Sequence, residues 1–340
     1  MVMRNFTLGM RLRICILSII FIGFCRVACP LGVQELASPD STLLFAVNGS
    51  DSLFLDVYRP SGQDAAILGQ SAGESESSVA PRVSKPTVLF LFGGGFYEGN
   101  RRDRSYLEWF KKLTDKGYGV VAIDYRLGLK DAKGITVDDF TALLDSAIRI
   151  AVEDLFSSVS FLSSRKDLGI NVEDIVVSGS SAGAITAMQA EYVICTRAPL
   201  ASSLPSGFNF RGVMAFSGAI LVKEDSDSEY SGLRPCPVMM MHGTEDSIVP
   251  YSGISYGGYA FLGPDSLAKF LSDNAFEYRF YRYSGNNHSV AGFMNHTLDK
   301  QTDFLESLSA SVRHPSIDLI IDDPTLPHYP EDNNLYDLRP

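Results

Sequence analysis

The sequence holds few of the residues that build metal sites, and it contains no internal repeat. Its 340 residues include five histidines and five cysteines, and neither an HExxH segment nor a paired Cys/His spacing occurs. Zinc sites are assembled from such spacings, so a zinc mechanism lacks ligands, and no metal or cofactor is expected. Because no blade-like repeat is visible, the sequence gives no sign of a propeller domain.

Positive charge is also scarce. Lysine and arginine together number 29 against 40 aspartates and glutamates, which gives a formal net charge of −11. Nucleic acids and anionic membranes attract basic surfaces, so this balance argues against both as partners. The hydrophobic share of 45% is enough to fill one sizeable core.

The N-terminus lacks an apolar run long enough to span a membrane. Three arginines precede residues 14–25, which are mostly apolar, and this pattern is typical of a secretory signal peptide. Cleavage after Ala28 removes four arginines and no acids, so the charge of −11 falls to about −15. A lipid-modified Cys29 is the alternative. Residues 1–28 are therefore predicted as a signal peptide, and the mature chain as secreted, periplasmic or cell-surface, without stable membrane insertion.

Residues 29–340 are predicted to form a single α/β domain, with a mostly parallel central sheet and helices on both faces. Strand and helix patterns alternate through most of the chain, which favours this class. Asn48-Gly49 marks a β-hairpin, and residues 140–162 carry one apolar helical face. Two segments are predicted to be peripheral: a mobile loop at 61–85 and an extended C-terminal tail at 315–340.

One pentapeptide indicates the chemistry. Residues 179–183 read Gly-Ser-Ser-Ala-Gly, and they follow the apolar run 175–177. A G-x-S-x-G segment between a strand and a helix places its serine, here Ser181, at the tip of a sharp turn with an exposed hydroxyl. Such a turn crowds the residues two before and two after the serine, which gives glycine a steric reason at both positions. Ser181 is therefore the candidate nucleophile.

An acid and a base follow in the chain order that such an elbow predicts. Residues 237–246 read as a buried strand followed by His-Gly-Thr-Glu-Asp, and residues 278–283 alternate like a strand that runs toward a histidine. The carboxyl ends of parallel strands share one edge, so Ser181, Asp246 and His288 should meet there. Imidazole titrates near neutrality and suits the base, while Asp246 would hold its tautomer.

Three nearby residues compete for these roles. Glu245 is the alternative acid, but the His-Gly-Thr-x-Asp spacing favours Asp246. His296 is the alternative base, although the first histidine after the last strand is the expected one. His242 precedes the acid, so the chain order rules it out as the base, and we interpret it as a structural histidine.

With these residues in this order, the chain resembles the α/β-hydrolase superfamily, on its esterase/lipase branch. Residues 88–96, Val-Leu-Phe-Leu-Phe-Gly-Gly-Gly-Phe, are similar to the strand and His-Gly-Gly-Gly loop of carboxylesterases and hormone-sensitive-lipase-like enzymes. Residues 120–127 and 168–171 resemble further segments of that branch. The resemblance covers residues 43–311 and points most closely to secreted acetyl-xylan- and feruloyl-esterase-like enzymes, which act on decorated polysaccharides.

The resemblance also implies an oxyanion hole. Carried over by position, the amides of Gly94 and Gly95 would bind the oxyanion together with that of Ala182, which follows the nucleophile. Phe92 stands where the family usually has a histidine that braces this loop through hydrogen bonds, so Phe92 is expected to brace it by packing. Residues 217–235 allow only a short insertion where lidded lipases carry a cap. This predicts a minimal cap and an open site for short acyl groups.

The prediction is a secreted serine ester hydrolase with a Ser-Asp-His triad and an acyl-enzyme intermediate. Its substrate would be a small-molecule or glycan ester, with acetyl or feruloyl groups on polysaccharides as candidates. A prolyl-oligopeptidase-like peptidase shares the elbow and the His-Gly-Thr-x-Asp segment, and a hydrolase fold kept as a non-catalytic binding module is the second alternative. The sequence leaves open the oligomeric state and whether Cys195 and Cys236 pair.

Overall fold

Strands and helices alternate along the described part of the chain. The computed structural model describes residues 35–61, 85–132, 137–224, 234–309 and 315–327. The strands are β1 (Ser41–Asn48), β2 (Asp51–Tyr58), β3 (Thr87–Leu91), β4 (Gly119–Ile123), β5 (Ile175–Ser180), β6 (Gly212–Phe216), β7 (Ile220–Lys223), β8 (Val238–Gly243), β9 (Gly253–Tyr256), β10 (Tyr259–Leu262), β11 (Tyr278–Tyr283) and β12 (Ile317–Ile321). The α-helices are α1 (Arg104–Asp115), α2 (Val137–Ser164), α3 (Ala182–Cys195), α4 (Pro264–Asp273) and α5 (Leu298–Ser307).

Nine of these strands form one sheet, in the order β1-β2-β4-β3-β5-β6-β8-β11-β12. β1 and β2 form the predicted antiparallel hairpin, with Gly49 in its turn at a φ of 62°. β2 also pairs antiparallel with β4. From β4 to β12 every pairing is parallel. The prediction of an α/β fold with a mostly parallel sheet is confirmed.

Helices flank this sheet and bury their apolar faces. Most of the apolar face predicted for residues 140–162 is at most 2% exposed in α2, namely Ala147, Ile148, Ala151, Leu155, Val159 and Leu162. α2 packs on α3, α3 packs on β5 and β6, and α1 packs on β4. None of the described helices combines the length and the apolar character that crossing a membrane requires.

The sequence does not predict a second, three-stranded sheet, in which β10 pairs antiparallel with both β7 and β9. All four residues of β9 are exposed, so it lacks the apolar alternation by which a half-buried strand is recognised. The small sheet contacts α2 through Asp145, whose Oδ2 lies 3.4 Å from the Tyr259 hydroxyl and 3.7 Å from Lys223 Nζ.

The described part of the predicted tail contributes the last strand of the main sheet. β12 pairs in parallel with β11, and Arg282 of β11 makes two hydrogen bonds to Asp318, at 2.5 and 2.9 Å. Residues 328–340 of that tail lie outside the described residues, as do the predicted signal peptide and residues 62–84 of the predicted mobile loop.

Candidate active site

The serine of the elbow follows the carboxyl end of β5. Ser181 has a φ of 49° and a ψ of −116°, a conformation that residues other than glycine rarely adopt. The turn leaves no room for side chains at its two glycines. A Cβ on Gly179 would lie 2.2 Å from the carbonyl carbon of Gly183, and one on Gly183 would lie 2.2 Å from the carbonyl oxygen of Leu91. This is the crowded strand-to-helix turn that the pentapeptide predicts.

Ser181, His288 and Asp246 come together at one edge of the main sheet. His288 Nε2 lies 2.9 Å from Ser181 Oγ, and His288 Nδ1 lies 2.8 Å from Asp246 Oδ2. Each of the three side chains follows the carboxyl end of a different parallel strand, β5, β8 or β11. The side chains are linked by hydrogen bonds in the order serine, histidine, aspartate, although 107 residues separate the first two in sequence.

Asp246 is buried, at 6% exposure, and its carboxylate is well supplied with hydrogen bonds. Its Oδ1 accepts from the amides of Ile248 at 3.0 Å and Val249 at 2.9 Å. Burial by itself raises the pKa of this carboxyl, but the charge of His288 and the imidazole hydrogen bonds outweigh burial and hold the pKa well below its usual range. An ionised Asp246 accepts a hydrogen bond from a protonated Nδ1 of His288, and this tautomer leaves Nε2 facing Ser181 as a proton acceptor.

Of the three competing residues, two are exposed and one is buried against Asp246. Glu245 is exposed, and so is His296, which follows the 3₁₀ segment His288–Asn295. His242 is fully buried, with Nε2 at 3.2 Å from Asp246 Oδ2 and 2.9 Å from a backbone carbonyl oxygen. The histidine interpreted as structural therefore contacts the acid, a contact that the sequence does not reveal.

The glycine loop after β3 lies directly against the elbow. A Cβ on Gly93 would lie 3.4 Å from the Cβ of Ser181. Gly94 and Gly95 have φ values of 128° and 60°, both in the region that favours glycine. Ala182 is the first residue of α3. Within the described part of the chain, the amides of Gly94, Gly95 and Ala182 donate to no backbone carbonyl oxygen. Their assignment to an oxyanion hole stays a prediction.

Phe92 supports this loop by packing, as expected. Its ring, 3% exposed, stacks on Tyr125 with 4.5 Å between ring centroids and 24° between ring planes. The Tyr125 hydroxyl donates to the Phe92 carbonyl oxygen at 2.7 Å. A Cβ on Gly99 would lie 2.5 Å from the Phe92 ring, so the loop closes tightly over it. Stacking and one tyrosine hydrogen bond thus take the place of the histidine that this family usually has.

Two polar side chains behind the elbow escape sequence analysis. Ser180 Oγ donates to the Ala291 carbonyl oxygen at 2.8 Å, and the Gly93 amide donates to Tyr106 Oη at 3.1 Å. One sequence feature points to Ser180, which is its place next to Ser181 in the pentapeptide. No sequence feature points to Tyr106, because only tertiary packing brings α1 against the glycine loop.

A second buried carboxyl lies near the amino end of β8, away from the predicted site. Glu191 Oε1 accepts from the Cys236 amide at 2.7 Å and from Cys195 Sγ at 3.3 Å. Burial raises the pKa of the Glu191 carboxyl and of both thiols. Neither cysteine is in a disulfide, which answers the pairing question that the sequence leaves open. Among the described residues, no group of three His, Cys, Asp or Glu side chains could hold a metal ion.

Two family models match the segments that carry the candidate site. The BD-FAE family matches residues 78–195, which include the glycine loop and the elbow. The Phospholipase/Carboxylesterase family matches residues 152–306, which include the elbow, Asp246 and His288. The chain has the α/β-hydrolase fold, and the matches confirm its resemblance to the esterase branch of the α/β-hydrolase superfamily.

The chain also has a curated relative, acyl-protein thioesterase 1 of Kluyveromyces lactis. The two are 31% identical over 174 residues, and this alignment covers 48% of this chain and 64% of the relative. The chain therefore spans just under two thirds of that relative's length.

Solved structures of an esterase from Thermogutta terrifontis share the fold. The apo form of esterase 2 superposes with a TM-score of 0.52 at 16% identity, over 82% of this chain and 98% of that one. The butyrate-bound form gives a TM-score of 0.54 at 17% identity, over 82% and 96% of the two chains. At such identities the likeness establishes the α/β-hydrolase architecture.

Proposed function

We propose that this α/β-hydrolase hydrolyses carboxylic esters through a serine nucleophile. The observation that carries the proposal is the pair of hydrogen bonds that joins Ser181 Oγ to His288 at 2.9 Å and His288 to Asp246 at 2.8 Å. A serine hydroxyl is a poor nucleophile until a base takes its proton, and this geometry supports His288 in that role. The esterase families that match the chain support the same chemistry.

In the first half of the reaction, Ser181 Oγ attacks the ester carbonyl carbon while His288 Nε2 takes the hydroxyl proton. The carbonyl electron pair moves onto oxygen, where the amides of Gly94, Gly95 and Ala182 donate to it. One such donor is typically worth about 3 kcal/mol of transition-state stabilisation. The intermediate collapses when the bond to the alcohol oxygen breaks, and the alcohol leaves with the proton from His288.

The second half releases the acid. His288 Nε2 takes a proton from water, the hydroxide oxygen bonds to the acyl carbon, and the same amides bind the oxyanion. Breaking the bond to Ser181 Oγ returns the proton from His288 to the serine and frees the carboxylic acid. Asp246 stabilises the imidazolium in both halves, and its lowered pKa supports this role because the carboxylate stays charged at neutral pH.

For the substrate we propose short-acyl esters, with acetyl or feruloyl groups on polysaccharides as the natural class. The short insertion between β6 and β8 supports an open site, since little chain is available there for a lid. Esterase 2 of Thermogutta terrifontis, which has the same fold, has been solved with butyrate and with propionate bound. Both are short carboxylates.

For the location we propose secretion. The arginines before residues 14–25 and the apolar character of that run support a signal peptide. N-terminal sequencing of the exported protein tests this, with Cys29 expected as the first residue. A protein that is found only inside the cell, with an N-terminus within residues 1–10, would contradict secretion.

Thioester hydrolysis is the second candidate, favoured by the similarity to acyl-protein thioesterase 1. Both reactions use the same nucleophile and base, and they differ in the leaving group. Matched oxygen esters and thioesters of one acyl chain separate the two candidates. A higher kcat/KM on the oxygen ester supports the first, and the reverse order supports the second.

The test of the proposed function is turnover of p-nitrophenyl acetate, butyrate and octanoate. Activity should fall with chain length, and Ser181→Ala should lower kcat by about 10⁵-fold or more. His288→Ala should cause a loss of similar size, whereas His296→Ala, an exposed histidine close by, should stay within about twofold of wild type. Wild-type turnover in Ser181→Ala would overturn the proposal.

A further inference from the structure

One buried hydroxyl joins parts of the site without belonging to the predicted triad. Ser180 directly precedes Ser181, is 5% exposed, and donates through Oγ to the Ala291 carbonyl oxygen at 2.8 Å. Ala291 lies in the same 3₁₀ segment as His288. A single buried hydrogen bond therefore connects the nucleophile elbow to the segment that carries the base.

The glycine loop meets the same hydroxyl. A Cβ on Gly93 would lie 3.1 Å from Ser180 Oγ, so the loop packs directly on this side chain. The Gly93 amide donates to Tyr106 Oη at 3.1 Å. Burial raises the pKa of Tyr106, while its contacts with Gly93 and with the Ser180 side chain act against that rise. Loop, elbow and base segment thus meet around two adjacent hydroxyls, those of Ser180 and Tyr106.

We propose that Ser180 and Tyr106 are positioning residues, which hold His288 and the glycine loop in place relative to Ser181. The inference rests on the proposed function, because these relative positions matter for activity only where a proton moves between Ser181 and His288. Reaction rates are sensitive to such positions, since a misplacement of about 1 Å can cost about 100-fold. The Ser180 hydrogen bond joins the residue directly before Ser181 to Ala291, which lies three positions after His288.

Two other residues show that burial of a hydroxyl in this protein does not require a hydrogen-bond partner. Ser178, on the same strand as Ser180, is fully buried, and its hydroxyl has no hydrogen-bond partner in the described part of the chain. Tyr118 is likewise buried, with a hydroxyl that has no such partner among the described residues. Burial alone therefore does not explain the hydrogen bonds of Ser180 and Tyr106. Ser178 and Tyr118 provide matched controls for them.

The kinetic test compares kcat and KM for p-nitrophenyl acetate in these variants. Ser180→Ala and Tyr106→Phe should each lower kcat by about 10- to 100-fold, with KM within about threefold of wild type. Ser178→Ala and Tyr118→Phe should stay within about twofold. Because both hydroxyls act on one set of contacts, the double variant of Ser180 and Tyr106 should lose less than the product of the two single losses.

Hydrogen exchange gives a readout that needs no substrate. Amides of residues 288–295 should exchange faster in Ser180→Ala than in Ser178→Ala at equal thermal stability. Equal kcat or equal exchange in these two variants overturns the positioning role. If Ser180→Ala fails to fold, Tyr106→Phe against Tyr118→Phe decides the kinetic comparison. A wild type without ester turnover overturns the proposed function instead, and with it the positioning role in catalysis.

Discussion

Two buried carboxyl groups lie near opposite ends of β8, and their surroundings differ. Asp246 follows the carboxyl end of the strand at 6% exposure, and Glu191 lies against Cys236, which precedes the amino end, at 4% exposure. The pKa of Asp246 is held below its usual range although burial acts against this, and the pKa of Glu191 is raised, chiefly by burial. Similar burial therefore accompanies opposite ionisation behaviour.

The partners explain the difference. Asp246 receives hydrogen bonds from two backbone amides and from the imidazole of His288, and these donors favour the carboxylate form. Glu191 Oε1 receives three uncharged donors, the Cys236 amide, the weak donor of the Cys195 thiol and, at 3.4 Å, the side-chain amide of Asn209, while its Oε2 has no hydrogen-bond partner within the described residues. Strong donors and nearby charge can lower the pKa of a buried carboxyl, whereas burial without enough of them raises it. Asp246 is equipped for a charged role and Glu191 for a structural one.

Among changes to the two carboxyls and their partners, the largest expected effect comes from neutralising Asp246 at the candidate site. Asp246→Asn keeps the shape of the side chain but presents an amide to His288 Nδ1, which favours the wrong tautomer. We expect kcat to fall by about 10⁴-fold, as for the equivalent change in other serine hydrolases. The neighbouring change Glu245→Gln alters an exposed side chain and should stay within about twofold. Ester turnover measured for both variants decides the matter, and equal activities would contradict the assignment of Asp246.

Removing the other carboxyl should affect stability and leave the chemistry intact. Glu191→Ala leaves a cavity and a buried Cys236 amide without its acceptor, so we expect a loss of about 2–4 kcal/mol in the free energy of unfolding. The isosteric Glu191→Gln retains an acceptor for that amide and should lose less. Denaturant unfolding measures both. A large fall in kcat of the folded Glu191→Gln protein would show that the two carboxyls are not functionally separate.

The pH dependence of stability should run in opposite directions for the two groups. The folded pKa of Glu191 lies above its unfolded value, so its contribution is complete below the unfolded pKa and is lost as pH rises through the folded one. The folded pKa of Asp246 lies below its unfolded value, so its contribution is present above the unfolded pKa and is lost as pH falls through the folded one.

Unfolding measured across pH tests these signs. Glu191→Gln should gain stability relative to wild type as pH rises. Asp246→Asn should be less stable than wild type near neutrality, and this deficit should shrink as pH falls below about 4. Parallel curves for wild type and Glu191→Gln would mean that the pKa of Glu191 is the same in the folded and the unfolded protein, which would contradict the raised pKa.

The smallest effect concerns the thiol beside Glu191. Cys195→Ala removes one weak hydrogen bond to Oε1 and little volume, so we expect a loss of about 1 kcal/mol in unfolding free energy. Activity should not change. A loss several times larger would indicate that the thiol, rather than the Cys236 amide, is the main partner of Glu191.

The same comparison shows what the sequence can reveal. Ser181, Asp246 and His288 are predictable because each follows a strand of a parallel sheet, and such strand ends share one edge. The contact between Glu191 and Cys236 joins residues 45 positions apart with no motif around either, so only packing brings them together. Tyr106 and the exposed strand β9 escape prediction for related reasons: one acts only through tertiary contact, and the other lacks an apolar pattern.

The most direct test of the account is covalent labelling with paraoxon, followed by tandem mass spectrometry. An activated Ser181 should displace p-nitrophenolate and carry the diethylphosphoryl group, with about one phenolate released per chain. Ser181→Ala and Asp246→Asn should label negligibly on the same timescale, while Glu191→Gln should label like wild type. A folded wild-type protein that stays unlabelled, or that carries the group on another residue, would contradict the assignment of Ser181 as the nucleophile.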